Sequence, residues 1–278
     1  MVAALSGLAA CSGVAVVYHR LDWWAERYID EFVEFNAAQE AQFQRALNRV
    51  HVAHCRDDLP QYRTRLSEIV ERARNGKVDR AYVADLRASL RSDLDRLLAL
   101  AAPEAVTLLE SLSTEQIARL EKGFEQSNAD YLKRRAESEE DALKARRRMM
   151  IKRLEYWLGN LTPAQVQRVE EWATALWADG PLELQTRQRW QGRLLELLAA
   201  RKTGEASRDD LYLWLVGFRD ARSAEYQALR DHNESVTIAL VADIAASLSQ
   251  RQVTHLSNEA ERWQGRLAAI DCSRVERS

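Results

Sequence analysis

One five-residue pattern recurs four times in this chain: an apolar residue, a Ser, Thr or Asn, two variable positions, then Gln. The copies are Phe35-Asn36-Ala37-Ala38-Gln39, Leu112-Ser113-Thr114-Glu115-Gln116, Leu161-Thr162-Pro163-Ala164-Gln165 and Leu248-Ser249-Gln250-Arg251-Gln252. Each reads as a helix start: the hydroxyl or amide accepts from the N3 backbone N–H, and the Gln side chain returns to the cap's own N–H. Three copies add a hydrophobic staple, with Leu112, Leu161 and Leu248 at N′ opposite Ile117, Val166 and Val253 at N4. Such an apolar pair fixes the angle at which the chain enters the helix. The first copy carries Glu40 at N4 instead. Helix starts this strongly specified predict an all-α protein, a bundle of long antiparallel helices.

Composition agrees. Gly (10) and Pro (4) make up about 5% of 278 residues, against an average usage of about 12%. The four prolines all fall where a helix would begin: Pro60, Pro103, Pro163 and Pro181. At the first helical position Pro loses no hydrogen bond and brings a preset φ. The chain is long enough to bury a sizeable core as one large domain or two small ones. With 40 Lys and Arg against 42 Asp and Glu, the surface is densely charged with mixed sign. No global field favours nucleic acid.

Along the chain, a helix from about Asp22 carries Trp24, Tyr28, Phe32 and Phe35, restarts at Asn36 and runs on through Phe43, Leu47 and Val50. Leu59-Pro60 opens the next, which Asn75-Gly76 stops; Asp79 caps a third, and Pro103 opens a short fourth ending near Ser111. From Ser113 an apolar stripe runs to Tyr131, dissolves between Lys133 and Arg148, and returns from Met150 to Leu158. One continuous helix there would measure about 65 Å. The expectation is one long or broken helix projecting beyond the bundle. Helices open at Thr162, Pro181 and Ser207, the last through a capping box with Asp210 in place of Gln, and a single long stripe extends from Leu211 to Ile244. A final helix follows Ser249. No alternating β-branched run signals a strand. Residues 1–11 read as a signal-like segment and 12–278 as one elongated helical domain, undivided or split into two sub-bundles near 133–150.

The first ten residues are apolar or small and end at Cys11. Leu8-Ala9-Ala10-Cys11 resembles a bacterial lipobox, in which the cysteine thiol becomes diacylglyceryl-modified and the chain is cut just before it. The alternative is an apolar helix end with a chance cysteine. No Lys or Arg precedes the run, and ten residues are short for a secretory signal, so the natural start is expected further upstream. Several acyl chains on Cys11 would anchor the protein stably. Ser12 rather than Asp after it favours, by resemblance to enterobacterial lipoproteins, the outer membrane. Nothing else approaches the roughly 18 apolar residues of a transmembrane helix. Cys55 and Cys272 remain, either a disulfide closing a long loop or two free thiols.

His51, His54 and Cys55 stand at i, i+3 and i+4 and could offer soft ligands to zinc or copper. With no fourth ligand evident, a polar patch at a helix end is the better reading, and neither a metal nor a cofactor is expected. His19, His232 and His255 have no catalytic company nearby. Glu139-Glu140-Asp141 and Glu170-Glu171 read as solvated faces, since acid–base work needs a pocket that separates their pKa values. Arg146-Arg147-Arg148, Lys152 and Arg153 form the densest basic cluster, suited to anionic lipid or to exposed ion pairing. The eight tryptophans (23, 24, 157, 172, 177, 190, 214 and 263) mostly fit apolar stripes; Trp23-Trp24 could alternatively lie at lipid headgroups. Gly-rich phosphate loops, nucleophile elbows, HExxH and paired CxxC motifs do not occur in the sequence. No catalytic residue and no enzymatic activity are expected.

The opening Tyr18-His19-Arg20-Leu21-Asp22-Trp23 and the segment Arg153-Leu154-Glu155-Tyr156-Trp157-Leu158-Gly159-Asn160-Leu161-Thr162-Pro163-Ala164-Gln165 resemble a family of uncharacterised proteobacterial lipoproteins, known as a domain of unknown function. The resemblance covers nearly the whole chain and implies a location, not an activity. The Leu-Thr-x-x-Gln element is also similar to the signature of the Spy/CpxP-type periplasmic chaperones, helical cradles that hold unfolded clients without ATP. Capping alone could make the motif recur without kinship. The lipobox-like anchor, the helical repertoire and the lack of catalytic constellations lead to the expectation of a lipid-anchored, periplasm-facing outer-membrane protein that binds protein partners as a chaperone-like or scaffold module. A structural envelope protein reaching another surface through its charged helix is the alternative, and a cell-wall-related enzyme the third. The expected partners are the membrane, through the lipid on Cys11, and protein; nucleic acid is not among them.

Overall fold

In a computed structural model the described residues are 18, 20–134, 138–178, 180–219 and 222–275. All their regular structure is helical, and no strand occurs among them. The elements are α1 (Leu21–Asp30), α2 (Ala37–Ala53), α3 (Leu59–Arg74), α4 (Arg80–Glu110), α5 (Thr114–Arg134) and α6 (Glu139–Leu158). There follow α7 (Pro163–Ala175), α8 (Gly180–Thr203), α9 (Arg208–Val216), α10 (Ala224–Ala246), α11 (Gln250–Ala268) and the short α12 (Cys272–Val275).

Both halves of a capping box form at Asn36/Gln39, Ser113/Gln116, Thr162/Gln165, Ser207/Asp210 and Ser249/Gln252. One expected helix start does not form, and another forms without a cap. α3 does begin at Leu59-Pro60, with Pro60 in its first turn, but α2 runs straight into it through a π-helical turn at His54–Asp58. The widened turn, with the Leu59 N–H reaching His54 O, relieves the clash that a proline ring makes with the carbonyl four residues earlier. Pro103 sits inside the 31-residue α4 rather than opening a helix of its own. Ala102 and Val106 are completely buried on either side of it, so packing holds the helix together where one backbone hydrogen bond is lost.

Two further stripes break: the charged segment, expected as one long or broken helix, and the stripe expected as a single helix from Leu211 to Ile244. The charged segment divides into α5 and α6, and Ser138 caps α6 through the Asp141 N–H. The stripe from Leu211 to Ile244 divides into α9, which ends at Gly217, and α10, capped by Ser223. Phe32 and Phe35 stand in the link between α1 and α2, outside either helix.

Two large apolar clusters share the chain. One joins Val33, Val106 of α4, Leu112, Leu120 of α5, Leu194 and Leu198 of α8 and Leu211 of α9. The other joins Val70 of α3, Met150 of α6, Val169 and Trp172 of α7, Ile244 of α10 and Leu256 of α11. Each cluster therefore draws on both sides of residues 133–150. The long α4 packs against α2, α8 and α9 and also against α10, so this helix of roughly 46 Å ties the two together. A third, smaller cluster surrounds Cys55 with Tyr18, Leu59 and Ile270.

Candidate functional site

The four Gln residues of the capping boxes do more than cap. They meet in two pairs, Gln39 with Gln116 and Gln165 with Gln252, and each pair exchanges amide hydrogen bonds. Gln39 Nε2 donates to Gln116 Oε1 at 3.1 Å and Gln116 Nε2 returns one at 2.7 Å; in the second pair the distances are 3.2 and 2.8 Å. Both pairs obey one further rule: each Nε2 also donates to the backbone carbonyl five residues before its partner Gln. The acceptors are Ser111 O (3.0 Å), Glu34 O (2.7 Å), Ser247 O (3.4 Å) and Asn160 O (3.1 Å). Gln39, Gln165 and Gln252 are buried, and these networks satisfy both ends of each amide. The chain thus contains the same node twice.

The first node stands beside an apolar cavity of about 630 Å³, walled by α1, α2, α4, α5, α8 and α9. Phe32, Phe35 and Phe43 contribute aromatic wall, with Leu109, Leu120 and Phe124 facing from α4 and α5. Packing around Phe32 is tight, since a Cβ placed on Gly123 would lie 3.0 Å from Phe32 Cδ1. Tyr28 belongs to the lining and is 59% exposed, so the cavity communicates with solvent. From α8 one face supplies Arg187, Trp190, Gln191 and Leu194. Trp190 stacks on Trp214 with centroids 4.2 Å apart, and Trp214 Nε1 donates to Trp190 O at 3.0 Å. Arg187 Nη2 donates to Ser127 Oγ at 2.6 Å, and Asn128 Nδ2 donates to Gln191 Oε1 at 2.8 Å. Two buried donors on this face, Arg187 Nε and Trp190 Nε1, find no acceptor among the described residues. A buried N–H left without an acceptor costs about 1–3 kcal/mol, so this wall favours a guest that brings one.

Cys11, the expected lipidation site, lies outside the described residues, as does His19. Cys55 and Cys272 are joined in a disulfide, Cα–Cα 5.7 Å, which fastens α12 to the π-helical turn. That bond removes Cys55 from the ligand set weighed above, and His54 Nδ1 lies 2.8 Å from the Tyr18 hydroxyl. No group of three or more metal-ligating side chains is gathered among the described residues. Burial, seconded by the nearby Asp58 carboxylate, pushes the Tyr18 hydroxyl pKa up. Burial likewise pushes His54 below its usual 6.5, against an opposing pull from Asp58. Asp58 is itself fully buried and accepts from the Arg96 guanidinium.

The acidic pairs are engaged in exposed ion pairs, Glu170 with Arg147 and Glu140 with Lys144, both at 2.6 Å. Arg146, Arg148, Lys152 and Arg153 form a face of α6 with Met149 and Tyr156. Trp172 is buried and donates to Thr237 Oγ1 at 3.1 Å, whereas Trp23 and Trp24 are 42% and 56% exposed. Sequence reasoning did not find the cavity or its donors. The one signal was polar Arg187 and Gln191 interrupting the apolar stripe of α8 at i, i+3, i+4 and i+7. Among the described residues no single helix is long and apolar enough to cross a membrane.

Among the described residues, fold and site together define an all-helical protein with glutamine-paired nodes and a large apolar cavity. The chain belongs to a family of unknown function, DUF6279, whose model matches residues 31–227. No curated protein and no solved structure matches it.

Proposed function

We propose that this protein is a lipid-anchored, periplasm-facing envelope protein that binds segments of other proteins, as a chaperone-like or scaffold module without catalysis. The observation that carries the reading is the apolar cavity of about 630 Å³ whose wall holds two buried donors without acceptors. A peptide segment supplies both complements at once. Its apolar side chains fill the cavity, and a backbone carbonyl accepts from Arg187 Nε or Trp190 Nε1. The lipobox-like run ending at Cys11 and the disulfide between Cys55 and Cys272 support an oxidising, extracytoplasmic setting.

Site-specific photocrosslinking from position 28, with peptides rich in Leu and Phe, tests the site. Crosslinks that polar peptides do not compete, and that the cavity-filling Ala105→Phe variant loses, are expected. Absence of peptide crosslinking, or replacement of peptide by free fatty acid as the only guest, would refute protein binding. Fractionation of the protein expressed with its native upstream sequence, beside Cys11→Ser, tests the anchor: outer-membrane recovery should disappear in the variant. A structural role in contacting another surface is the second reading. It is favoured by the α6 face, where Arg146, Arg148, Lys152 and Arg153 make no ion pair among the described residues. Anionic vesicles that retain the protein through these four residues would support it.

A further inference from the structure

A groove of about 710 Å³ between α4 and α10 collects five arginines: Arg87 and Arg91 from α4, Arg219 and Arg222 from the segment after α9, and Arg230 from α10. Among the described residues, the carboxylates around them do not balance the charge. Arg87 Nε and Arg91 Nη2 converge on a single carboxylate, Glu234, at 2.6 and 2.7 Å. Arg219 pairs with Asp95. Asp231 accepts instead from Gln227 Nε2, at 2.7 Å. Arg222 reaches no carboxylate among the described residues and donates to the Gln227 amide oxygen at 3.3 Å. Arg230 has no ion pair or hydrogen bond among the described residues. Burial pushes the Arg222 guanidinium pKa down, Arg230 is the next cause, and Arg219 and Arg91 act in the same direction while Tyr226 opposes.

Beside this charge lies half-exposed apolar surface. Leu90 and Leu94 are 48% and 49% exposed and share one face of α4 with Arg87 and Arg91, and Phe218 and Ile238 continue the same groove. Guanidinium and leucine are therefore interleaved at i, i+3, i+4 and i+7. A guest that satisfies the groove carries an anion at one end and an apolar chain at the other.

We propose that this groove binds a phosphate-headed amphiphile with a single acyl chain, the phosphate held by Arg222 and Arg230 and the chain lying along Leu90 and Leu94. Two uncompensated guanidinium charges match a phosphate monoester, which carries roughly −1.5 to −2 at neutral pH and accepts the bidentate arginine fork. A carboxylate head would bring a single negative charge against two guanidinium charges. This site is separate from the apolar cavity, so its failure leaves the protein-binding reading untouched.

Calorimetry on the full chain tests the proposal, with lauroyl lysophosphatidate, lauroyl lysophosphatidylcholine, laurate and inorganic phosphate as probes below their micelle concentrations. Saturable binding of the lysophosphatidate, competed by inorganic phosphate, is expected. Arg222→Gln and Arg230→Gln should each weaken it by about tenfold or more. Leu90→Asn should weaken the lysolipid and leave inorganic phosphate unchanged. If far-ultraviolet circular dichroism shows that Arg222→Gln does not fold, Arg222→Lys, which keeps the charge and loses the fork, takes its place and should also bind more weakly. No saturable binding to the unmodified chain overturns the proposal. So does equal affinity for the choline lipid or laurate, and so does unchanged affinity in the folded arginine variants.

Discussion

The paired glutamines make a quantitative prediction about coupling. Gln165 is 1% and Gln252 3% exposed, so Gln165→Leu fits the space and removes only polar function. Thr162 N–H loses its acceptor at 3.0 Å, Ser247 Oγ and O lose a donor at 3.1 and 3.4 Å, and Gln252 loses both amide contacts. Loss of the box contributes about 1 kcal/mol, and stranding buried groups adds about 1–3 kcal/mol, for a total of about 3 kcal/mol. Gln252→Leu should cost about as much by the same route. The double variant strands no amide on either side, so it should cost about 1–2 kcal/mol less than the sum of the singles. Gln39→Leu combined with Gln165→Leu joins groups in different nodes, and those two effects should add to within about 0.5 kcal/mol. Urea unfolding, followed by circular dichroism and tryptophan fluorescence, measures each corner of both cycles. Additivity within a node, or strong coupling between nodes, would refute the reasoning.

Three other outcomes follow from single features. Replacing Cys272 by Ser opens a loop spanning 217 residues and should lower stability by about 2–5 kcal/mol, an effect that reductant reproduces in the parent chain and not in the variant. His54 has a folded pKa below its usual 6.5, so the unfolded chain binds more protons between the two values. The stability it contributes is complete above about pH 6.5 and is lost as the pH falls towards the folded value; His54→Phe should flatten the urea midpoint over that window relative to the parent. Gly123→Ala places a methyl 3.0 Å from Phe32 Cδ1 and 3.3 Å from its Cα, which predicts a loss of about 1–3 kcal/mol by thermal unfolding and weaker peptide crosslinking from position 28.

Helix starts were legible in the sequence because capping is local. The side chain and the N–H groups it serves lie within three residues, so Asn36, Ser113, Thr162, Ser207 and Ser249 announce themselves. Helix ends and continuity were less legible because packing decides them. Pro103 looks like a start until Ala102 and Val106 are seen to be completely buried around it. Pro60 does open α3, but nothing local announces that a π-helical turn joins α3 to α2 without a gap. The stripe from Leu211 to Ile244 keeps its period across a real break at Gly217 to Ser223, since apolar spacing says nothing about the turn between two helices that share a core. The cavity and the arginine groove were not legible, because each is assembled from helices far apart in sequence.

The residue at the third helical position carries information that capping alone does not explain. A capping box accepts Glu as readily as Gln, and a carboxylate there gains from the helix dipole. Yet the four boxes that dock on one another all use Gln, while Ser138 and Ser207, whose helix starts dock on no second box, are followed by Asp141 and Asp210. The difference lies in the donor. A carboxylate can accept from its own cap but cannot donate to the partner amide or to the carbonyl five residues before the partner. Pairing therefore selects Gln, and a Leu-Thr-x-x-Gln element can arise wherever two helix starts must interlock, without shared ancestry with the periplasmic chaperones that carry it. Gln165→Glu isolates the point. It preserves the acceptor for Thr162 N–H but sets a buried carboxylate against Gln252 Oε1 and Ser247 O, which should cost about 3 kcal/mol or more at neutral pH. Burial raises the pKa of such a carboxyl, and protonation restores one donor, so this variant should recover stability relative to the parent as the pH falls. Asp210→Gln, at an exposed box without a partner, should stay within about 0.5 kcal/mol of the parent. A Gln165→Glu variant as stable as Asp210→Gln across that pH range would show that pairing does not select the amide.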